Sequence, residues 1–241
     1  MSTHFHIAHN ANELVEQLAE QLSSDAREAI HARGVFILAL SGGSTPKKLY
    51  ERLGSPDWIG RFDWSRIVLL FGDDRAVAPD DPNSNFRMAS ETLGPQIAQR
   101  LVRIEGELDP DEAAARYEGR IREEGERVDI NLLGMGPDGH TASLFPRSPQ
   151  LHETEKRVVA TPESSLAPFV RRVTMTFPEI NSSRKIYFLV TEASKADRVQ
   201  EVVNGPFDVE NVPSTGINPT DGELHWWLDE AAASKLSPRS V

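Results

Sequence analysis

Residues 130–146 constrain the fold more than any other stretch of this chain. The run from Val128 to Leu133 reads as a buried strand bounded by glycines. It empties into Gly134-Met135-Gly136-Pro137-Asp138-Gly139-His140, a turn with three glycines, one Asp and one His. In open α/β sheets, ligands bind at the carboxyl ends of the strands. His140 therefore stands where chemistry is expected, and it is the only one of seven histidines embedded in such a loop.

The same glycines match G-x-G-x-x-G, so a dinucleotide fingerprint must be weighed. Its context fails. Pro146 follows Gly139 within seven residues, too soon for the long helix the motif should open. Asp138 would set a carboxylate beside a pyrophosphate. No clear ribose-binding acid ends the next strand, and Glu163 after Pro162 is a poor substitute.

With 241 residues, the chain can form one large α/β domain or two small ones. Apolar strands alternate with helical patterns throughout and no linker, repeat or low-complexity segment intervenes. A single domain over residues 1–241 is expected. The net charge of −11 argues against nucleic acid or an anionic membrane as partner. An anionic substrate would need a local cationic pocket. The absence of cysteine excludes disulfides and thiolate metal sites. The first residues lack the basic and apolar regions of a signal peptide, and the longest strongly apolar run, Val35 to Leu40, is too short for a membrane span. A cytoplasmic protein is expected.

In chain order, His4, His6 and His9 come first, two of them on one face if the segment is a strand. A metal site there lacks a carboxylate or Cys partner, so an exposed edge strand is preferred. Asn12 can cap a helix to about Arg33, with Leu14, Leu18, Leu22, Ala26 and Ile30 at helical spacing and Gly34 as the stop. The strand from Val35 to Leu40 runs into Ser41-Gly42-Gly43-Ser44-Thr45-Pro46, where Thr45 suits an N-cap and Pro46 the first helical position. Strand, glycine loop, hydroxyls and helix start make an anion site, because free N–H groups and the helix dipole point at the ligand. No Gly-Lys-Ser/Thr closes a P-loop, and a tight turn that binds nothing is the bland alternative.

The next strand, Ile67 to Phe71, delivers Gly72-Asp73-Asp74-Arg75 to the same edge. Arg75 offers an anion clamp and Asp73 a hydroxyl acceptor, or the segment is a solvated turn. Helices follow from about Ser84 to Leu93 and from Asp111 to Glu124. Short strands are expected over Arg157 to Ala160 and Lys185 to Val190. Between them Arg172, Thr174 and Thr176 share one face of an alternating strand, with Arg171 directed to the other. Pro178 to Asn181 reads as a helical turn. Ser194 can cap a helix with Lys195 near its N-terminus, where a lysine opposes the dipole and suggests a bound anion. Trp226 and Trp227 read as packing.

Together these pieces resemble the 6-phosphogluconolactonases. The likeness covers most of the chain, through Ser41 to Pro46, Phe71 to Arg75, Ser84-Asn85, Gly134 to Pro146, Arg172-Val173-Thr174 with Asn181, and Lys195. Five ordered motifs and a lysine in sequence order are far more specific than one motif alone. The residues from Ser214 to Pro219 look looser than the usual family segment and read as a rim loop. The resemblance implies an α/β fold of the modified doubly wound, Rossmann-like kind: a mostly parallel sheet with helices on both faces. It implies hydrolysis of 6-phosphoglucono-1,5-lactone to 6-phosphogluconate in the oxidative pentose phosphate pathway, with no metal or organic cofactor. The family's matching histidine makes His140 the general base. Asp138 orients the imidazole or holds a sugar hydroxyl, and Asp73 serves sugar hydroxyls or positioning. The phosphate is expected on Ser41, Gly42, Gly43, Ser44 and Thr45, helped by Arg75, Arg172 and Lys195. A monomer is expected, with oligomers left open.

The fold group also holds glucosamine-6-phosphate deaminases. Those carry an acidic residue shortly past the histidine and an Asp-Glu-Tyr pattern at the other strand end. Here Thr141 to Pro146 contains no carboxylate, and the strand end reads Asp73-Asp74-Arg75. A non-catalytic sugar-phosphate sensor is the third reading, and His140 with Asp138 argues against it, since binding alone needs no base.

Overall fold

Apolar runs become the central strands, and glycine or hydroxyl residues mark where they end. The structure, a computed structural model, describes residues 2–164 and 166–237. In chain order its strands are β1 (Ser2–Ala8), β2 (Phe36–Leu40), β3 (Ile67–Phe71), β4 (Asp73–Arg75), β5 (Ile130–Leu133), β6 (Val158–Ala160), β7 (Arg172–Met175), β8 (Lys185–Val190) and β9 (Glu223–Asp229). Six form a parallel sheet in the order β1-β9-β8-β5-β2-β3, and β4-β7-β6 form a small antiparallel sheet. Every residue of β2 and β5 is buried. Such two-sided burial is what continuous apolar strands of parallel sheets predict.

The order of the large sheet places the site. From β2 the chain moves outward to β3, and from β5 it moves the other way to β8, while β2 and β5 are neighbours with Leu38 opposite Ile130. Their carboxyl ends therefore diverge at a switch point, where open α/β sheets leave a crevice. The long helix Ala11–Arg33 is tied to one face of the sheet, where Asp25 accepts from the Tyr187 hydroxyl at 2.7 Å. From the opposite face, Asn131 reaches the sulfur of Met175 in the small sheet.

Helix starts depart from expectation in instructive ways. Asn10, not Asn12, caps the first helix, its side chain accepting from the N–H groups of Asn12 and Glu13. Gly34 ends that helix in the left-handed region, as expected. Ser84 and Asp109 cap the helices Asn85–Leu93 and Pro110–Glu124. Residues 73–75, read as a loop, form β4, whose pairing with β7 sets Asp73 opposite Thr174 and Arg75 opposite Arg172. No helix among the described residues is long and apolar enough to cross a membrane.

Candidate active site

Four strand ends, those of β2, β3, β5 and β8, build one cleft. Two buried tyrosines fix two of them. The Tyr50 hydroxyl accepts from the Ser41 N–H at 2.9 Å and donates to the Ser41 carbonyl at 2.8 Å. Tyr117 does the same for Phe71 at the end of β3, at 2.6 and 3.0 Å. Each phenol thus satisfies a donor and an acceptor at a strand terminus, where a ladder would otherwise leave them unpaired. Nothing periodic in the sequence announces these clamps.

The glycine-hydroxyl loop starts the helix Ser44–Leu53, and its cap is Gly43 rather than Thr45. Gly43 has φ 113°, a conformation open to glycine, and supplies no side-chain cap. The first N–H groups of this helix are left for a ligand. Pro46 falls in its first turn and lacks an N–H. The Thr45 hydroxyl instead meets that of Thr191 at 2.8 Å, joining this loop to the end of β8.

The loop after β5 turns back on itself. Gly136 N–H donates to the His140 carbonyl at 2.8 Å and the Thr141 hydroxyl to the Gly134 carbonyl at 2.9 Å. A Cβ at Gly136 would collide with the His140 imidazole, so only glycine lets the ring lie there. Oδ1 of Asp138 accepts from the His140 backbone N–H at 3.1 Å and stands 2.6 Å from its Nδ1. A carboxylate accepts, so Nδ1 carries a proton, and in the neutral ring Nε2 keeps its lone pair. Burial raises Asp138, but the hydrogen bonds and charge of His140 outweigh it and hold the carboxyl below its ordinary range. The Phe145 ring packs 4.6 Å from the imidazole centroid. The segment that looked like a loose rim is a brace: both N–H and hydroxyl of Ser214 donate to the Gly139 carbonyl, at 2.9 and 2.8 Å.

The cationic wall comes from the small sheet. Arg172 is buried, and its guanidinium lies over Phe145 at 5.2 Å. Burial, and then the neighbouring Arg75, lower its pKa, while Asp73 and Asp74 oppose that shift. Arg75 is held by Asn85 Oδ1, and Asn85 in turn donates to the Asp73 carbonyl at 2.9 Å. Asp74 anchors the group, accepting backbone N–H groups from Arg75, Asn85 and Phe86, although burial still pushes its carboxyl up to about 6. Oδ2 of Asp73 accepts from the Ser143 hydroxyl at 2.5 Å. Lys195 donates to the Met135 carbonyl at 3.0 Å, and burial lowers its pKa. Lys195, and not Ser194, stands at the cap position of the helix Ala196–Asn204 and makes no side-chain cap bond.

One cleft therefore lines up Ser41, Gly42, Gly43, Ser44, Thr45, Asp73, Arg75, Arg172, Lys195 and His140, with Asp138 behind the imidazole. Arg171 points away, to the Thr161 carbonyl and Asp111. Thr191 and Glu192 also line the cleft and were not anticipated; Glu192 has φ 84°, a left-handed conformation rare without glycine. A non-glycine outlier in a cleft was the kind of feature that only the backbone could reveal.

The model of the glucosamine-6-phosphate isomerases/6-phosphogluconolactonase family matches residues 9–226. A 6-phosphogluconolactonase of Synechocystis is 36% identical over 240 residues, covering 95% of this chain and 96% of its own. The crystal structure of 6-phosphogluconolactonase from Thermotoga maritima superposes with a TM-score of 0.83 at 27% identity, covering 95% of this chain and 100% of that one. A monomeric glucosamine-6-phosphate deaminase shares the fold, with a TM-score of 0.81 at 22% identity over 98% of this chain and 100% of its own. The chain belongs to the glucosamine-6-phosphate isomerase/6-phosphogluconolactonase family.

Proposed function

We propose that this protein is a 6-phosphogluconolactonase, hydrolysing 6-phospho-D-glucono-1,5-lactone to 6-phospho-D-gluconate, with His140 as general base. The observation that carries the reading is the 2.6 Å pair between Asp138 and His140 Nδ1 at a cleft also lined by Arg75, Arg172 and Lys195. With Nδ1–H engaged, Nε2 takes a proton from water as the water oxygen bonds to C1 of the lactone. The resulting tetrahedral oxyanion faces a site rich in positive charge. The C1–ring oxygen bond then breaks, and the imidazolium returns the proton to the departing oxygen. Asp138 stabilises the imidazolium between these steps. Arg75, Arg172, Lys195 and the free N–H groups at Ser44 and Thr45 hold the phosphate.

Deamination of glucosamine 6-phosphate is the competing reading. It moves a proton between C1 and C2 and opens a ring, which calls for more acid/base groups. The segment after His140 supplies no carboxylate, Asp73 is bonded to Ser143, and Arg75 stays protonated. The proposal includes a cytoplasmic monomer formed as one domain over residues 1–241 and needing no catalytic cofactor. Purified protein should speed proton release from 6-phosphogluconolactone well above spontaneous hydrolysis. It should yield neither ammonia nor fructose 6-phosphate from glucosamine 6-phosphate. The reverse pair of results would reassign it.

A further inference from the structure

At the other end of the large sheet lies a second cluster of chemistry-bearing side chains. The cleft occupies carboxyl ends of strands, whereas this cluster sits on β1 and the amino-terminal half of β9. The parallel register sets His4 opposite His225 and Ser2 opposite Glu223, so His4, Glu223 and His225 share one face. Each offers a ligand atom, and these atoms all lie within 4.8 Å of one another. His225 is buried, Glu223 half-buried and His4 exposed, so the group has one side open to solvent. Local spacing gives His4, His6 and His9 no carboxylate partner. The fold supplies one, with another histidine, from 219 positions further along the chain.

The hydrogen bonds around it are those of a ligand set with outer support. Nε2 of His225 stands 3.1 Å from Glu223 Oε2, and its Nδ1 stands 3.0 Å from His6 Nε2. Behind them Asp25 binds Lys185 and Tyr187, each at 2.7 Å. Asp25 is thus paired with Lys185, and Glu223 is the carboxylate left facing the histidines.

We propose that His4, Glu223 and His225 form a binding site for a borderline first-row dication of the zinc class, stapling the edge strand β1 to β9. Two imidazoles and one carboxylate, with one position left to water, suit such an ion. Tetrahedral ligands about 2.0–2.2 Å from an ion stand about 3.4 Å apart. Exposed His4 supplies the side-chain rotation that closes the set from its present spacing. The ion takes the place of the Nε2 proton of His225, which then carries its proton on Nδ1 and donates it to His6. A ligating histidine usually donates its second N–H to an acceptor, a place that His6 Nε2 takes here. His9 is no part of the site: it pairs with Glu230.

The test uses the full chain without any polyhistidine tag. Zinc(II) binding is measured by equilibrium dialysis, and cobalt(II) is added as a spectroscopic probe. The expected result is one ion per chain, visible d–d bands of tetrahedral strength, and a thermal midpoint raised by several degrees at saturating zinc. His4→Ala and Glu223→Gln should each weaken binding at least tenfold and remove the midpoint shift. His4 is exposed, so its variant folds and keeps the test sound. His140→Ala should bind as the unaltered protein does. Absence of binding at micromolar zinc overturns the proposal. So does binding that survives both His4→Ala and Glu223→Gln, or that is lost in His140→Ala, since the ion would then lie elsewhere.

Discussion

A single oxygen of Asp138 holds both the backbone N–H and the ring Nδ1 of His140, at 3.1 and 2.6 Å. One carboxylate thus sets the turn and the tautomer together. His140→Ala should lose roughly 10²-fold or more in kcat while retaining product affinity. Asp138→Asn keeps the shape but lets an amide N–H face Nδ1 and favour the wrong tautomer. A fall of roughly 10–10²-fold in kcat with little change in KM is expected. Background-corrected kinetics measure both, and an unchanged kcat in either variant removes that residue from the mechanism.

The same pair gives the fold an acid limb. The carboxyl of Asp138 is held below its ordinary range in the folded state. The folded protein then binds this proton less readily than the unfolded chain. The pair's stabilisation is present above pH ~4, the ordinary aspartate range, and is lost as pH falls through the lower folded value. Urea unfolding of the unaltered protein and of Asp138→Asn should show a stability gap at pH 6 that closes toward pH 3. A gap that widens on acidification would give the linkage the opposite sign.

Arg75 reaches the cleft from β4, steered by Asn85. A charge-assisted hydrogen bond to phosphate contributes about 1.5–3 kcal/mol. Arg75→Ala should therefore raise KM for the phosphorylated lactone roughly 10–10²-fold and leave turnover of phosphate-free gluconolactone unaltered. Equal losses on both substrates would show that Arg75 acts on the fold and not on the phosphate.

Asp74 supports that steering from below. Its oxygens accept from the N–H groups of Arg75 at 2.8 Å, Asn85 at 2.6 Å and Phe86 at 3.0 Å, and from the Ser84 hydroxyl at 3.2 Å. An asparagine would turn two N–H donors toward these donors. Asp74→Asn should cost about 2–4 kcal/mol, read by calorimetry as a midpoint lower by about 5–15 °C. The conservative size of the change makes a near-normal midpoint decisive against this role.

Much of this was legible in the chain. β2, β3, β5 and β8 are apolar runs, and burial on both faces leaves such runs little choice. Their exits carry the glycine, hydroxyl and charged residues that line most of the cleft, while Arg172 comes from β7. What escaped was decided by partners distant in sequence. Asp73, Asp74 and Arg75 have no apolar period, and only pairing with β7 makes them a strand. Thr45 has the better residue type for a cap, yet the loop's backbone gives that place to Gly43. The tyrosine clamps and the partners of His4 depend on contacts that no local spacing encodes.

The two ends of the sheet should respond separately to chelation. His140, Asp138 and the cations act at carboxyl ends of strands, with proton transfer and charge but no metal assigned to the reaction. His4, Glu223 and His225 lie on β1 and β9 toward the amino ends. Exhaustive treatment with EDTA should leave kcat and KM unchanged within error. Where the histidine site holds an ion, the same treatment should lower the thermal midpoint by several degrees, because an ion bound only to the folded chain stabilises it by mass action. Re-adding zinc should restore the midpoint without altering turnover. Activity lost with EDTA and rescued by one divalent ion would make the metal part of the reaction and overturn the metal-free mechanism at His140.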